Sequence, residues 1–384
     1  MSATAFQRTE KSYPLTSVRF FAALLVVFHH SARRFFPVFA RIDVTRIPPG
    51  LIDRGLFSLT ASVSFFFLLS GYVLGFAYLS KGYAVNKRFF LAARFARIYP
   101  LYFVMLVLDT QQLLRVELHQ HGMMAGLFKT AKVFAANVLM MQTWFTDRLL
   151  RINVPSWSLC AEVFFYLCFP VLGGWLWKLR GARLWMTAFV LYVGGQALVW
   201  VVRPHVGTEA LLSSPPLHLS TFALGILLAR WQTLQKERRG GAPPVWQVMV
   251  VLGLSMAGVL LSLWALPLFH VAGPCNHGLL APVFAGFIWA LSMRTTWLSQ
   301  WLSARWLVVL GNASYALYLI HMPILLLFRQ FNWVSEWAYT LYLALCLGLS
   351  VLSFYYFETP VRLWLLERFH SRSLETMEVA SIAQ

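Results

Sequence analysis

The sequence predicts an all-α fold: a polytopic membrane bundle of about ten hydrophobic helices with both termini in the cytoplasm. Three observations carry this. Of 384 residues, 59% are hydrophobic and only 12% charged. A water-soluble domain carries about a quarter charged residues, so most of this surface must face hydrocarbon. Apolar runs of about 20 residues, the length that crosses a bilayer, recur along the whole chain. The basic residues, 32 Lys and Arg against 14 Asp and Glu, are spread between those runs rather than gathered on one domain, which is how cytoplasmic loops are marked. The same spread argues against a nucleic-acid partner despite the formal charge of +18.

Candidate spans fall at 15–37, 56–79, 98–116, 157–177, 184–202, 217–232, 246–268, 279–293, 306–328 and 337–357. The run at 130–143 is shorter and begins among Lys129 and Lys132, so it reads as an interfacial or re-entrant helix. Leaving it out places four basic loops on one side with both termini: Lys81 to Arg97, Lys178 to Arg183, Lys236 to Arg239, and Arg294 to Arg305. One loop disagrees. Arg33, Arg34, Arg41 and Arg46 fall outside and form a candidate site for an anionic acceptor.

The polar N-terminus up to Lys11 precedes a run with no small-residue cleavage site, so that run is expected to be retained as the first span. The expected organisation is an N-terminal segment 1–14, a transmembrane domain 15–360 and a cytoplasmic tail 361–384, disordered from Ser371. Cys160, Cys168 and Cys346 lie in apolar runs and Cys275 in a link, which gives neither a disulfide framework nor a metal spacing. No phosphate-binding Walker loop, nucleophile elbow or zinc-binding HExxH pair is present.

Chemistry-bearing residues sit inside the spans. In the first, Arg19 and His30 are 11 positions apart, about 1,100° of helical turn, so they share a face some 16 Å apart along the axis. An ionisable group within a span points to a protein interior or wet cavity, and a histidine there can take a proton from a hydroxyl. An arginine reaching to the headgroups and a satisfied core histidine fit the same spacing. His29 is turned about 100° away and reads as a packing residue. In the second span, Ser70 and Gly71 let another helix or a ligand approach closely. Arg94 and Arg97, one turn apart before Pro100, could grip phosphate oxygens or anchor the span at the cytoplasmic face.

The fourth span opens with Trp157, Ser158 and, one turn further in, Glu162, a carboxylate that requires a partner or a role. It could orient His30, help bind an acceptor, or pair with an arginine. Ser314, Tyr318 and His321 share one face of the ninth span, which also carries Tyr315. His321 competes with His30 as a base, although it precedes helix-breaking Pro323. Phe357-Glu358-Thr359-Pro360 reads as the stop of the last span.

In this order and spacing these motifs resemble acyltransferase family 3. They are Arg19 with His30, Phe66 to Gly71, Arg94-x-x-Arg97-Ile-Tyr-Pro-x-Tyr102, Trp157 to Glu162, Gly311-Asn-Ala-Ser-Tyr-x-Leu-Tyr-Leu-Ile-His321, and Phe357-Glu-x-Pro360. The resemblance covers nearly the whole chain. It implies a multi-pass protein of the bacterial cytoplasmic (inner) membrane that moves an acyl group, acetyl by default, from acyl-CoA to a carbohydrate or glycolipid hydroxyl. It implies that His30 is the base and Arg19 its required partner. Arg94 and Arg97 are candidates to contact acyl-CoA, and Glu162 is a further catalytic candidate beside His30 and Arg19. Ser70, Trp157, Ser158, Tyr315 and His321 are left as acceptor-binding or structural polar residues, with no metal.

The sequence departs from the family where many members carry acidic residues: Ser64, Thr16 and Val163-Phe164 stand there instead. Glu162 is thereby left without a second carboxylate beside it. Many relatives also carry an appended hydrolase-like domain of the SGNH type, which is not expected here. A transporter or flippase of a lipid-linked glycan or small solute is the alternative from another class, and a non-catalytic scaffold a third. The first expects paired interrupted helices, which are not seen, and the second has no use for Arg19 and His30 on one face.

Overall fold

The computed structural model describes residues 13–36, 59, 61–80, 86–144, 152–265 and 277–369. Residues 1–12, Arg41, Arg46, Lys81, Cys275 and the tail from Ser371 lie outside them, as does the side chain of Arg33. The principal helices are α1 (Tyr13–Phe35), α2 (Ala61–Leu74), α3 (Lys87–His121), α4 (Met123–Val138), α5 (Trp157–Leu176), α6 (Gly181–Val202), α7 (Pro215–Arg239), α8 (Val245–Ala265), α9 (Ala281–Ser292), α10 (Arg305–Gln330) and α11 (Glu336–Ser353). No described residue is in a strand.

Local chemistry sets the helix ends. The Asn86 side chain accepts from Phe89 N at 3.1 Å and starts α3. Pro215 opens α7, where a missing N–H costs nothing, and Gly240 ends it at φ 62°.

Nine helices among the described residues are long and apolar enough to cross a membrane, and they coincide with nine of the ten expected spans. The tenth, 279–293, is α9, of 12 residues and about 18 Å. Gly278 turns the chain at φ 87° and Pro282 occupies the first turn, so the helix starts only at Ala281. The 130–143 run falls largely in α4, which Gly122 (φ 75°) turns back along α3. Tyr99 Oη donates to Val138 O at 3.0 Å and Tyr102 Oη to Asn137 O at 2.8 Å, pinning the end of α4 to the middle of α3.

The expected stop at Phe357 to Pro360 does not end the last helix, which continues to residue 369. A π-turn at Phe354–Glu358 intervenes, where Thr359 N bonds Phe354 O five residues back. That wider turn accommodates Pro360, which has no N–H to offer. A second π-turn, Gly75–Leu79, prolongs α2.

Helices α1, α2, α7 and α10 are each more than half buried and form the interior. Helices α6 and α8 expose Phe189, Val201, Leu254 and Leu260, a surface that hydrocarbon covers without cost. Glycines permit the inner crossings. A Cβ at Gly71 would collide with the Phe222 carbonyl and one at Gly225 with the Leu68 carbonyl, which brings α2 against α7; one at Gly311 would collide with the Thr16 carbonyl, where α10 meets α1. Gly311→Ala is therefore expected to cost about 1–3 kcal/mol of overpacking, read as a lower unfolding midpoint in detergent. Gly253→Ala, where no atom lies near the added carbon, should leave the midpoint in place.

Candidate active site

The α1–α10 crossing brings two histidines together. His30 Nδ1 lies 3.0 Å from Val26 O one turn back. A carbonyl only accepts, so this nitrogen carries the proton and Nε2 keeps its lone pair. His321 Nε2 faces the same Nδ1 at 3.3 Å, with ring centroids 5.3 Å apart. His30 is thus oriented through the nitrogen that would not react, the arrangement a base requires from its supporting group. His321 is fully buried, and Tyr342 Oη donates to its carbonyl at 3.2 Å. His29 packs edge-on against His30, 5.2 Å between centroids.

Next to this pair, one turn before His321, Tyr318 Oη donates to Pro155 O at 2.7 Å and shares a 2.8 Å hydrogen bond with Ser158. The 3-10 turn Val154–Ser156 leads into α5 and leaves Pro155 O available to both hydroxyls.

Nearer the start of α1 lies a charged group. Arg19 interacts electrostatically with Arg97, Glu162, Tyr166 and Glu358. Arg362 does so with Arg97, Arg94 and Glu358. Glu162 accepts from Tyr166 Oη at 3.1 Å. Arg94 donates to Tyr78 Oη at 3.2 Å, and its guanidinium sits 5.6 Å from the Tyr78 ring and 5.9 Å from those of Phe90 and Tyr166. Tyr315 closes the group by donating to Ile98 O at 2.6 Å. Four guanidiniums face two carboxylates here, a standing excess of positive charge in a low-dielectric interior, which favours an anion. Both π-turns border it, one supplying Tyr78 and the other Glu358.

Helix α5 links the two groups, since it carries Ser158, which is bonded to Tyr318, and Glu162 one turn further on. The structure therefore gathers Arg19, Glu162, Arg94, Arg97 and Tyr315 in one cluster, and His30, His321 and Ser158 in its continuation. Two candidates join neither. Ser70 is half-buried and makes no hydrogen bond among the described residues, and Trp157 packs 6.1 Å from Phe67 and 5.3 Å from His218, ring to ring.

Sequence reasoning missed Tyr166, Glu358, Arg362, Asp109 and Asn153. Asp109, Glu358 and Arg362 carried a legible signal, an ionisable residue in or just beyond an apolar run. Tyr166 and Asn153 carried none, because only the fold brings them to their partners.

A family model described as an acyltransferase domain matches residues 14–357. Acyltransferase MdmB of Streptomyces mycarofaciens is 30% identical over 56% of this chain and 56% of its own length. O-acetyltransferase OatA of Staphylococcus aureus is 24% identical over 94% of this chain and 60% of its own. Protein 2 in the picA locus of Rhizobium radiobacter is 30% identical over 50% of this chain and 94% of its own. The first two matches thus take in between half and two thirds of those relatives' own length. No solved structure matches.

Proposed function

The chain belongs to the acyltransferase-domain family, and from that premise we propose that it is a membrane O-acyltransferase using cytoplasmic acyl-CoA, with acetyl-CoA as the default donor. Its acceptor is a hydroxyl of a cell-surface or exported carbohydrate or glycolipid. The phosphates of the donor dock against Arg94 and Arg97, with Arg19 and Arg362 beside them, and the thioester arm follows the polar file towards His30.

The observation that carries this reading is the match between that file and the donor. Arg19 and His30 are separated by about 16 Å of helical rise. The pantetheine arm of CoA is about as long as four to five extended residues, roughly 15 Å. Phosphates held at the charged end thus bring a thioester to His30. There His30 Nε2 takes the proton of the acceptor hydroxyl as its oxygen attacks the thioester carbon. The carbon–sulfur bond then breaks, and the CoA thiolate leaves with the proton that the imidazolium returns. His321 and the Val26 carbonyl hold the ring, and Glu162 keeps Arg19 and Arg97 in place between turnovers.

Membranes containing the protein, incubated with radiolabelled acetyl-CoA, should release free CoA and pass label to an extractable glycan or glycolipid. A transporter would release no CoA. Arg94→Ala removes charge-assisted contacts to phosphate, so KM for acetyl-CoA should rise about tenfold or more, ~1.4 kcal/mol, the loss falling on KM more than on kcat. Unchanged KM would remove Arg94 from donor binding.

A further inference from the structure

Helix α10 contains Pro323 in its interior. Such a proline has no N–H, so the carbonyl four residues back, Leu319 O, loses its helical partner. That carbonyl is nevertheless bonded. Asn153 Nδ2 donates to Leu319 O at 3.0 Å and to Asp109 Oδ2 at 2.9 Å. Asn153 reaches it from the turn before α5, at φ 42° and ψ 68°, a left-handed conformation that asparagine tolerates better than most residues. Asp109, on α3, and Asn153 are both buried. One amide nitrogen therefore joins α3, the link before α5 and α10, at the place where proline interrupts α10. His321 lies midway between Leu319 and Pro323.

We propose that Asn153 and Asp109 are positioning residues for the transfer reaction: they brace α10 where Pro323 leaves Leu319 O without a helical partner, and thereby hold His321 against His30. The Asn153 amide supplies the hydrogen bond that Pro323 cannot, and Asp109 fixes the amide's direction. Without them α10 is free to flex at the proline, and the 3.3 Å contact between His321 and His30 is lost. This rests on the reading of His30 as the base, but it also predicts a behaviour of His30 that needs no turnover.

Two readings test it: kcat and KM for acetyl-CoA in membranes, and the rate at which diethyl pyrocarbonate modifies His30, followed by peptide mass spectrometry. Asn153→Ala should lower kcat at least tenfold, leave KM within about twofold, and quicken modification of His30 at least threefold. Asn153→Asp, although isosteric, should behave like Asn153→Ala, because a carboxyl carries at most one proton and cannot donate to Leu319 O and Asp109 together as the amide does. Asp109→Asn keeps an acceptor for the amide and should retain more than half of kcat.

An Asn153→Asp protein with wild-type kcat and labelling would overturn the proposal, as would Asn153→Ala with both unchanged. If Asn153→Ala does not accumulate, Asp109→Ala should move both readings in the same directions by about threefold, and no movement overturns the proposal. Wild-type membranes that release no CoA would sink the transfer reaction itself, while the labelling rates would still decide whether the clamp sets His30.

Discussion

Replacing His30 by Ala is expected to reduce acyl transfer by at least 10²- to 10⁴-fold, the range contributed by a positioned general base, and to background if the imidazole carries the acyl group covalently. The protein should remain in the membrane at wild-type abundance. His30 is only half-buried and bonds to the backbone of its own helix, so the distant contact its loss removes is the 3.3 Å one to His321 Nε2. His321→Ala should be milder, about tenfold, because it removes the group that orients the base and leaves the base itself. The comparison is made by CoA release from acetyl-CoA in membranes, normalised to the amount of protein. Near-normal release by His30→Ala would take His30 out of the reaction.

Arg19→Ala is expected to produce the second largest effect, and on stability as well as rate. Arg19 interacts electrostatically with Glu162 and Glu358. Glu162 and Glu358 keep Arg97 as a partner, so losing the Arg19 guanidinium should cost about 1–3 kcal/mol. The unfolding midpoint in detergent should fall accordingly. Transfer should fall as well, because a cation beside the donor phosphates is missing. A midpoint unmoved by Arg19→Ala would show that the guanidinium is not held by these carboxylates.

Much of this architecture was legible from spacing. Nine of the ten spans are found as long apolar helices because the length of hydrocarbon and the hydropathy of a run are nearly the same information. The π-turn before Pro360 was not legible. A proline after a polar residue reads as a stop, and only the packing of α11 shows that a wider turn carries the helix past it. The short α9 escaped for a related reason: its apolar residues begin before the turn at Gly278 allows a helix to start.

The site divides in the same way. Arg19, His30, Arg94, Arg97, Glu162 and His321 stood out because ionisable residues in or at the edge of apolar runs are costly. Their partners did not. Tyr166 and Tyr78 look like ordinary aromatic residues of a membrane helix until they meet Glu162 and Arg94. Asn153 is an unremarkable link residue until its amide is found on a carbonyl orphaned by Pro323, 170 positions further along the chain.

The most direct test is an electron cryomicroscopy structure of the protein with a non-hydrolysable acetyl-CoA analogue in lipid nanodiscs. Phosphate density is expected against Arg94 and Arg97, with the acyl carbonyl carbon within about 6 Å of His30 Nε2, the sum of one hydrogen bond and one attack distance. Phosphates bound away from those arginines, or an acyl group separated from His30 by a helix or by lipid, would contradict it.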